Sequence, residues 1–357
     1  MRRVVFLLAG FCFVLTNLGW AFHEEGASNC GGCHTIGAKE ADMVGDQSQH
    51  PFLLLRSTPS DVCLTCHATE LGAVFAEDVL SPSPEKGGGN FIFLLEENLN
   101  DVADQADSVS WISGDAAGHN INATEHGLGT DGTLSHAPGG TFRSDWLSCT
   151  SCHDPHGNAN FRMLHGSGSI QARLYHFTNA APEAEGISLE FGSESNGNHT
   201  AYKSGMSQWC ANCHSDFHNT GYPTILRHPS GKEIGAAIAS AYGSYNGTSD
   251  PYGGMRATAY LAEVPFEDNS PEHTTSSTMG PTASSRIMCL TCHRAHASSA
   301  PDAGRWDFSV TFPADDGRRS GSYALLNPYD KSQRSLCNKC HIKDAKGTGD
   351  VLVARGQ

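Results

Sequence analysis

The stretch Cys149-Thr-Ser-Cys-His-Asp-Pro-His-Gly157 holds two thiols three positions apart, a histidine directly after the second thiol, and another histidine three residues further on. Cysteines at that interval lie on one side of a single helical turn, where both thiols can add to the vinyl groups of one porphyrin. The adjacent His153 then reaches back to the iron as its proximal ligand. Five more copies surround it: Cys30-Gly-Gly-Cys33-His34, Cys63-Leu-Thr-Cys66-His67, Cys210-Ala-Asn-Cys213-His214, Cys289-Leu-Thr-Cys292-His293 and Cys337-Asn-Lys-Cys340-His341.

These six motifs use 12 of the 13 cysteines in the 357-residue chain. A disulfide framework explains an even cysteine count in an exported chain but gives no reason for a histidine after every second cysteine. Zinc sites draw on two distant pairs and need no flanking histidine. Thioredoxin-like chemistry needs a strand–helix setting that is absent around every pair. Six covalently attached c-type haems are therefore expected, and with them six irons.

The remaining Cys12 lies in Met1–Ala21, where Arg2 and Arg3 precede the apolar run Val4–Leu18 and the ending Gly19-Trp20-Ala21. That order is a secretory signal, so residues 1–21 are expected to be removed and 22–357 to form a single hexahaem domain. The run is short for a membrane span and is interrupted by Thr16, Asn17 and Gly19. Phe11 before Cys12 does not suit a lipoprotein signal. Losing the two arginines takes the formal charge from −15 to −17, which argues against nucleic acid or anionic lipid as partners.

Only 38% of residues are apolar, while 39 Gly and 16 Pro are scattered throughout. The long intervals 68–148 and 215–288 are polar, with short apolar runs such as Phe91–Leu95. They read as wrapping loops. The expected fold is mostly irregular, with short helices at the haem motifs and little strand, and with porphyrins supplying much of the buried apolar surface. First cysteines are separated by 33, 86, 61, 79 and 48 residues, so no repeat of fixed period is visible.

Function divides on the second axial ligand. An open iron position permits substrate chemistry, whereas a second histidine makes a six-coordinate, low-potential electron carrier. Thirteen histidines remain beyond the six proximal ones. His156 and His296 follow their proximal histidines by three residues and His218 by four. None can cross to the far face of its own porphyrin, so each would bind a neighbouring haem, and closely spaced haems follow. Spacing alone leaves His119 and His228 open between ligand and surface residue. Methionine ligation by Met43, Met163, Met206, Met255, Met279 or Met288 is not required with histidine in excess, and no Cys-x-x-Cys-Lys variant marks a catalytic haem.

The chain resembles the OmcS-type hexahaem outer-surface cytochromes of metal-reducing bacteria. The resemblance rests on segments inside and outside the haem motifs: Ala21-Phe-His23, Gly118-His-Asn-Ile121, Ala137-Pro-Gly-Gly-Thr-Phe142, Cys149–Gly157, Gly205-Met-Ser-Gln-Trp-Cys-Ala-Asn-Cys-His214, Leu226-Arg-His-Pro229, Ala259-Tyr-Leu261, Pro265-Phe-Glu267, Cys289–Ser298 and Gln333–His341. It implies distal ligation by His119, His156, His218, His228 and His296. In that family the sixth distal ligand comes from a neighbouring subunit, through a histidine three residues after the first proximal one. Here that position is Gly37, leaving His50, and after it His23, as substitutes. The resemblance also implies an exported electron carrier that polymerises head to tail, dealing with redox partner proteins and acceptors outside the cell. A soluble periplasmic shuttle and a multihaem oxyanion reductase are the rival readings, with a non-redox structural fibre behind them.

Overall fold

The computed structural model describes residues 30–35, 54–68, 74–75, 87–99, 111–170, 175–187, 194–218, 230–247, 249–308, 329 and 334–341. Within them regular structure is short. The helices are α1 (Pro59–His67), α2 (Cys149–Cys152), α3 (Met206–Cys210), α4 (Gly235–Ser244), α5 (Cys289–Cys292) and α6 (Arg334–Cys337). The strands β1 (Gly168–Ser169) and β2 (His176–Phe177) pair antiparallel, as do β3 (Glu183–Glu185) and β4 (Ala201–Ser204). This is the irregular, helix-poor and strand-poor fold that the polar loops imply. No described helix is long and apolar enough to cross a membrane.

Five of the six helices carry haem-motif cysteines, and local chemistry sets their lengths. Helix α1 starts where Thr58 accepts from the Asp61 amide, with Pro59 in the first turn, a position that needs no amide donor. In α2 and α5 the second residue between the cysteines makes the start: the Ser151 and Thr291 hydroxyls each accept from the backbone N–H three residues back at 3.1 Å. Both helices stop after one turn because His153 and His293 step out into extended backbone. Helix α3 follows Gly205 in the left-handed region, and the buried Glu267 carboxylate accepts from its first amide, Met206 N–H, at 2.6 Å.

The described apolar residues form four separate clusters, each against attachment cysteines. Phe91–Leu94, Ile121 and Leu128 pack on α1 and Cys149. Tyr242, Tyr260–Ala262, Phe266, Trp306 and Leu336 pack on Cys292, Cys337 and Cys340. Tyr202, Met206, Met288 and Leu290 surround Cys210, and Phe142, Ile170 and Phe177 back Cys213. Composition hides these clusters because the short apolar runs that feed them, Phe91–Leu94 and Tyr260–Ala262 among them, are diluted by long polar intervals. Phe93, in the middle of a polar interval, has no exposed surface.

Candidate haem-binding site

The third and fifth motifs are built alike. The Nδ1–H of His153 donates to Arg162 O, and that of His293 to Asp302 O, each at 2.8 Å and each nine residues on. Asp154 N–H then bonds Met163 O at 2.8 Å, and Arg294 N–H bonds Ala303 O at 2.6 Å. The return segment closes on the helix: His165 N–H reaches Cys152 O at 2.9 Å, and Arg305 N–H reaches Cys292 O at 2.8 Å. The side chains of the same two residues bind two carbonyls earlier, His165 Nε2 on Thr150 O at 3.0 Å and Arg305 Nε on Leu290 O at 2.8 Å. The first motif shares the closure through Leu55 N–H to Cys33 O at 2.9 Å and the pairing of His34 with Leu54.

Because a carbonyl can only accept, each of these Nδ1 atoms carries the proton and leaves Nε2 as the lone-pair nitrogen. His214 is held the same way by Pro138 O, and His119 by Ala295 O, both at 2.8 Å. Gly118 makes the second possible: a Cβ there would lie 2.3 Å from His296 O, so only glycine lets the His119 segment lie against 295–297. His119 N–H bonds His296 O at 2.9 Å, and His296 N–H bonds Gly88 O at 2.7 Å. Two candidate distal ligands therefore rise from adjacent backbone.

The rings meet in twos. An imidazole nitrogen ligates a metal from about 2 Å and its ring centre lies roughly 1 Å behind, so rings facing across one iron stand about 6 Å apart. The centroid separations are 6.4 Å for His34 and His156, 6.4 Å for His153 and His296, and 5.9 Å for His214 and His119. In each pair one ring follows a Cys-x-x-Cys and the other comes from a different motif or loop. Burial, then the neighbouring imidazoles, pushes His119 down to about 4 and His296 down to about 3; burial likewise lowers His153 and His214. Neutral imidazole is the form that binds iron. Among the described residues no three of His, Cys, Asp and Glu converge as a bare metal site. Two opposed imidazoles beside a thiol pair fit an iron porphyrin.

Comparison with known proteins agrees. The doubled CXXCH motif family matches residues 141–171. The C-type cytochrome OmcS of Geobacter sulfurreducens is 31% identical across 91% of this chain and 95% of its own length. The chain belongs to the OmcS family of c-type cytochromes. The fold agrees with two solved structures from that bacterium, the Outer Membrane Cytochrome S filament (TM-score 0.69, 30% identity) and the OmcS nanowires (TM-score 0.68, 29% identity). Each match covers 88% of this chain and 98% of the other.

Binding c-type haem is the chemistry of an OmcS-family chain, and the motif sulfur atoms are ordered through this molecule. Cys63 lies within hydrogen-bonding reach of Cys149, and Cys210 of Cys289. Cys33 senses the charge of Cys66, Cys152 that of Cys213, and Cys292 that of Cys340. Consecutive motifs are thus neighbours in space, in sequence order. Three of the proposed distal histidines, His119, His156 and His296, face a proximal ring. His218 lies beside Cys289 with Nε2 buried and without a hydrogen-bond partner. His228, His50 and His23 fall outside the described residues, as do Gly37 and the segment 1–21.

The other histidines have other work. His165 staples α2. His199 is fully buried, stacked on Tyr260 with its nitrogens 3.1 and 2.9 Å from Thr200 O and Ser277 O, so neither is available to a metal. His126 binds the buried Asp61 carboxylate at 3.1 Å, tying the 124–126 turn to α1. His273 lies among His199, Tyr260 and Phe266, none a motif histidine. Spacing could not reveal the carbonyls of Arg162, Asp302, Pro138 and Ala295, because backbone oxygens leave no mark in residue type.

Proposed function

We propose that this chain carries electrons outside the cell through six covalently attached, bis-histidine c-type haems, and that protomers join head to tail into a filament. The carrying observation is the opposition of rings: the fifth motif's His296 faces the third motif's His153, and the third motif's His156 faces the first motif's His34. Each haem supplies a one-electron iron couple whose potential two histidine ligands hold low. The chain's own residues attach, orient and close. Cysteines 30, 33, 63, 66, 149, 152, 210, 213, 289, 292, 337 and 340 take the vinyl groups; His34, His67, His153, His214, His293 and His341 bind proximally. His119, His156, His218, His228 and His296 bind distally. Held between two neutral imidazoles, such a haem would offer small oxyanions no open site, which favours conduction over reduction of a substrate.

The relay from fifth to third to first motif has two open ends. At one, the first motif has Gly37 where the third and fifth have His156 and His296. At the other, His293 receives no ring from a later odd-numbered motif. A ligand from another protomer joins those ends, with His50, or else His23, taking the role that Gly37 cannot. Such a heterologous contact does not close on itself and grows into a fibre. The filament and nanowires named for the OmcS structures support this reading, which includes a removed leader at 1–21 ahead of a single unit at 22–357. Redox proteins of the cell envelope would load the chain, and acceptors outside the cell would drain it.

Electron microscopy of the native secreted protein, with haem counting by mass, tests the proposal. Filaments of six-haem protomers are expected. A monodisperse monomer with six low-spin haems at every concentration would overturn the assembly and leave a soluble shuttle.

A further inference from the structure

Lys339 stands inside the last attachment motif, between Cys337 and Cys340, with 1% of its surface exposed. Its Nζ donates to Ala259 O at 2.8 Å, Tyr242 O at 3.1 Å and Tyr245 O at 3.4 Å. An ammonium has three N–H bonds, so these carbonyls use them all. The charge also faces the rings of Tyr242, 4.4 Å from the centroid, and Tyr329, 5.6 Å away. Two of the carbonyls belong to the C-terminal end of α4, where the aligned peptide dipoles favour a cation. Among the described residues no carboxylate pairs with Nζ, and no N–H is left to anchor one from the porphyrin. Dipoles and ring faces hold this charge in place without cancelling it.

The cation is also close to the attached group: Lys339 lies between Cys337 and Cys340 and is the covalent neighbour of Cys340, one of the two sulfurs proposed to bind the porphyrin. A buried charge acts through a poorly screening medium. Reducing a bis-histidine haem adds one electron and removes one positive charge from the iron, so a neighbouring cation favours the reduced form. Burial and local charge are among the levers by which a protein sets a haem potential.

We infer that Lys339 is a buried cation that raises the reduction potential of the haem held by Cys337, Cys340 and His341. The inference rests on haem attachment at this motif, as proposed above.

The test is a spectroelectrochemical titration of full-length haem-loaded protein, comparing the parent with Lys339→Met, Lys339→Gln and Lys339→Arg, with haems counted by mass. In the two uncharged variants one haem of six becomes harder to reduce by about tenfold, a downward shift of about 59 mV for one electron, and the rest are unchanged. The charge-keeping arginine variant stays with the parent. Curves that superimpose while six low-spin haems are present overturn the inference and leave the haem reading intact. So does an equal shift in all three variants, or assembly of the arginine variant alone, since either makes the role one of packing. A parent carrying five haems, with the last motif empty, would instead overturn the reading on which the inference rests.

Discussion

His119, His156 and His296 are single side chains whose loss should each open one iron. Alanine at any of them is expected to convert one haem from low to high spin, read by absorption or paramagnetic resonance, while the remaining haems stay low-spin. His165→Ala should convert none and should instead cost about 1–2 kcal/mol in thermal unfolding, the value of a staple to Thr150 O. Acid should separate the two buried rings. Protons compete with iron for the same nitrogen, and a lowered pKa means that more acid is needed to win. Burial first, then the neighbouring imidazoles, lowers the free rings to about 4 for His119 and about 3 for His296. A falling pH should therefore release the His119–His214 haem before the His153–His296 haem, as two successive high-spin signals. Spacing already singled out His156 and His296. It was silent on His119, whose physical marker is Gly118 beside it, a glycine required by close approach to a backbone carbonyl.

The third and fifth attachment segments share a backbone path that their side chains conceal. Both pass through a left-handed pair, Arg162 (φ 48°) with Met163 (φ 54°) and Asp302 (φ 59°) with Ala303 (φ 52°). Such a conformation costs an L-residue about 1–2 kcal/mol. Here it turns the Arg162 and Asp302 carbonyls onto the proximal Nδ1 atoms. Asp302→Gly should keep that bond and leave stability within about 1 kcal/mol, because glycine relieves the strain and offsets the gain by its greater freedom when unfolded. Asp302→Val, with a branched carbon in the same conformation, should lose about 2 kcal/mol or more in thermal unfolding and shift the midpoint of the His293 haem. The uneven motif spacing concealed this repeat for a physical reason. Its recurring contacts are backbone N–H to backbone carbonyl, so arginine can stand opposite aspartate, and His165 opposite Arg305, without disturbing it.

At the scale of the molecule, the described residues form several small cores rather than one. Each of the four clusters is a handful of side chains pressed on attachment cysteines, and no single cluster is large enough to offset the ordering entropy of the loops around it. Chain made without covalent haem attachment should therefore lack cooperative thermal unfolding and give a far-ultraviolet circular dichroism spectrum dominated by coil. A two-state transition for that haem-free chain would contradict this. Composition indicated that apolar side chains would be sparse, and it concealed the cores that do form, since the short apolar runs holding Phe93 and Tyr260 are diluted by the long polar intervals around them.

What the sequence determined by itself is the chemistry contained within a few residues: where porphyrins attach, which histidine follows each thiol pair, and that histidine is plentiful enough for second ligands. Those features are local because one helical turn brings both thiols to one macrocycle. Tertiary structure alone decided which histidine ring faces which. His34 and His156, His153 and His296, and His119 and His214 come together over long stretches of chain, through backbone bonds and glycine contacts that place no demand on the intervening side chains. The pairing is a property of the folded path, because backbone contacts leave no mark in residue type.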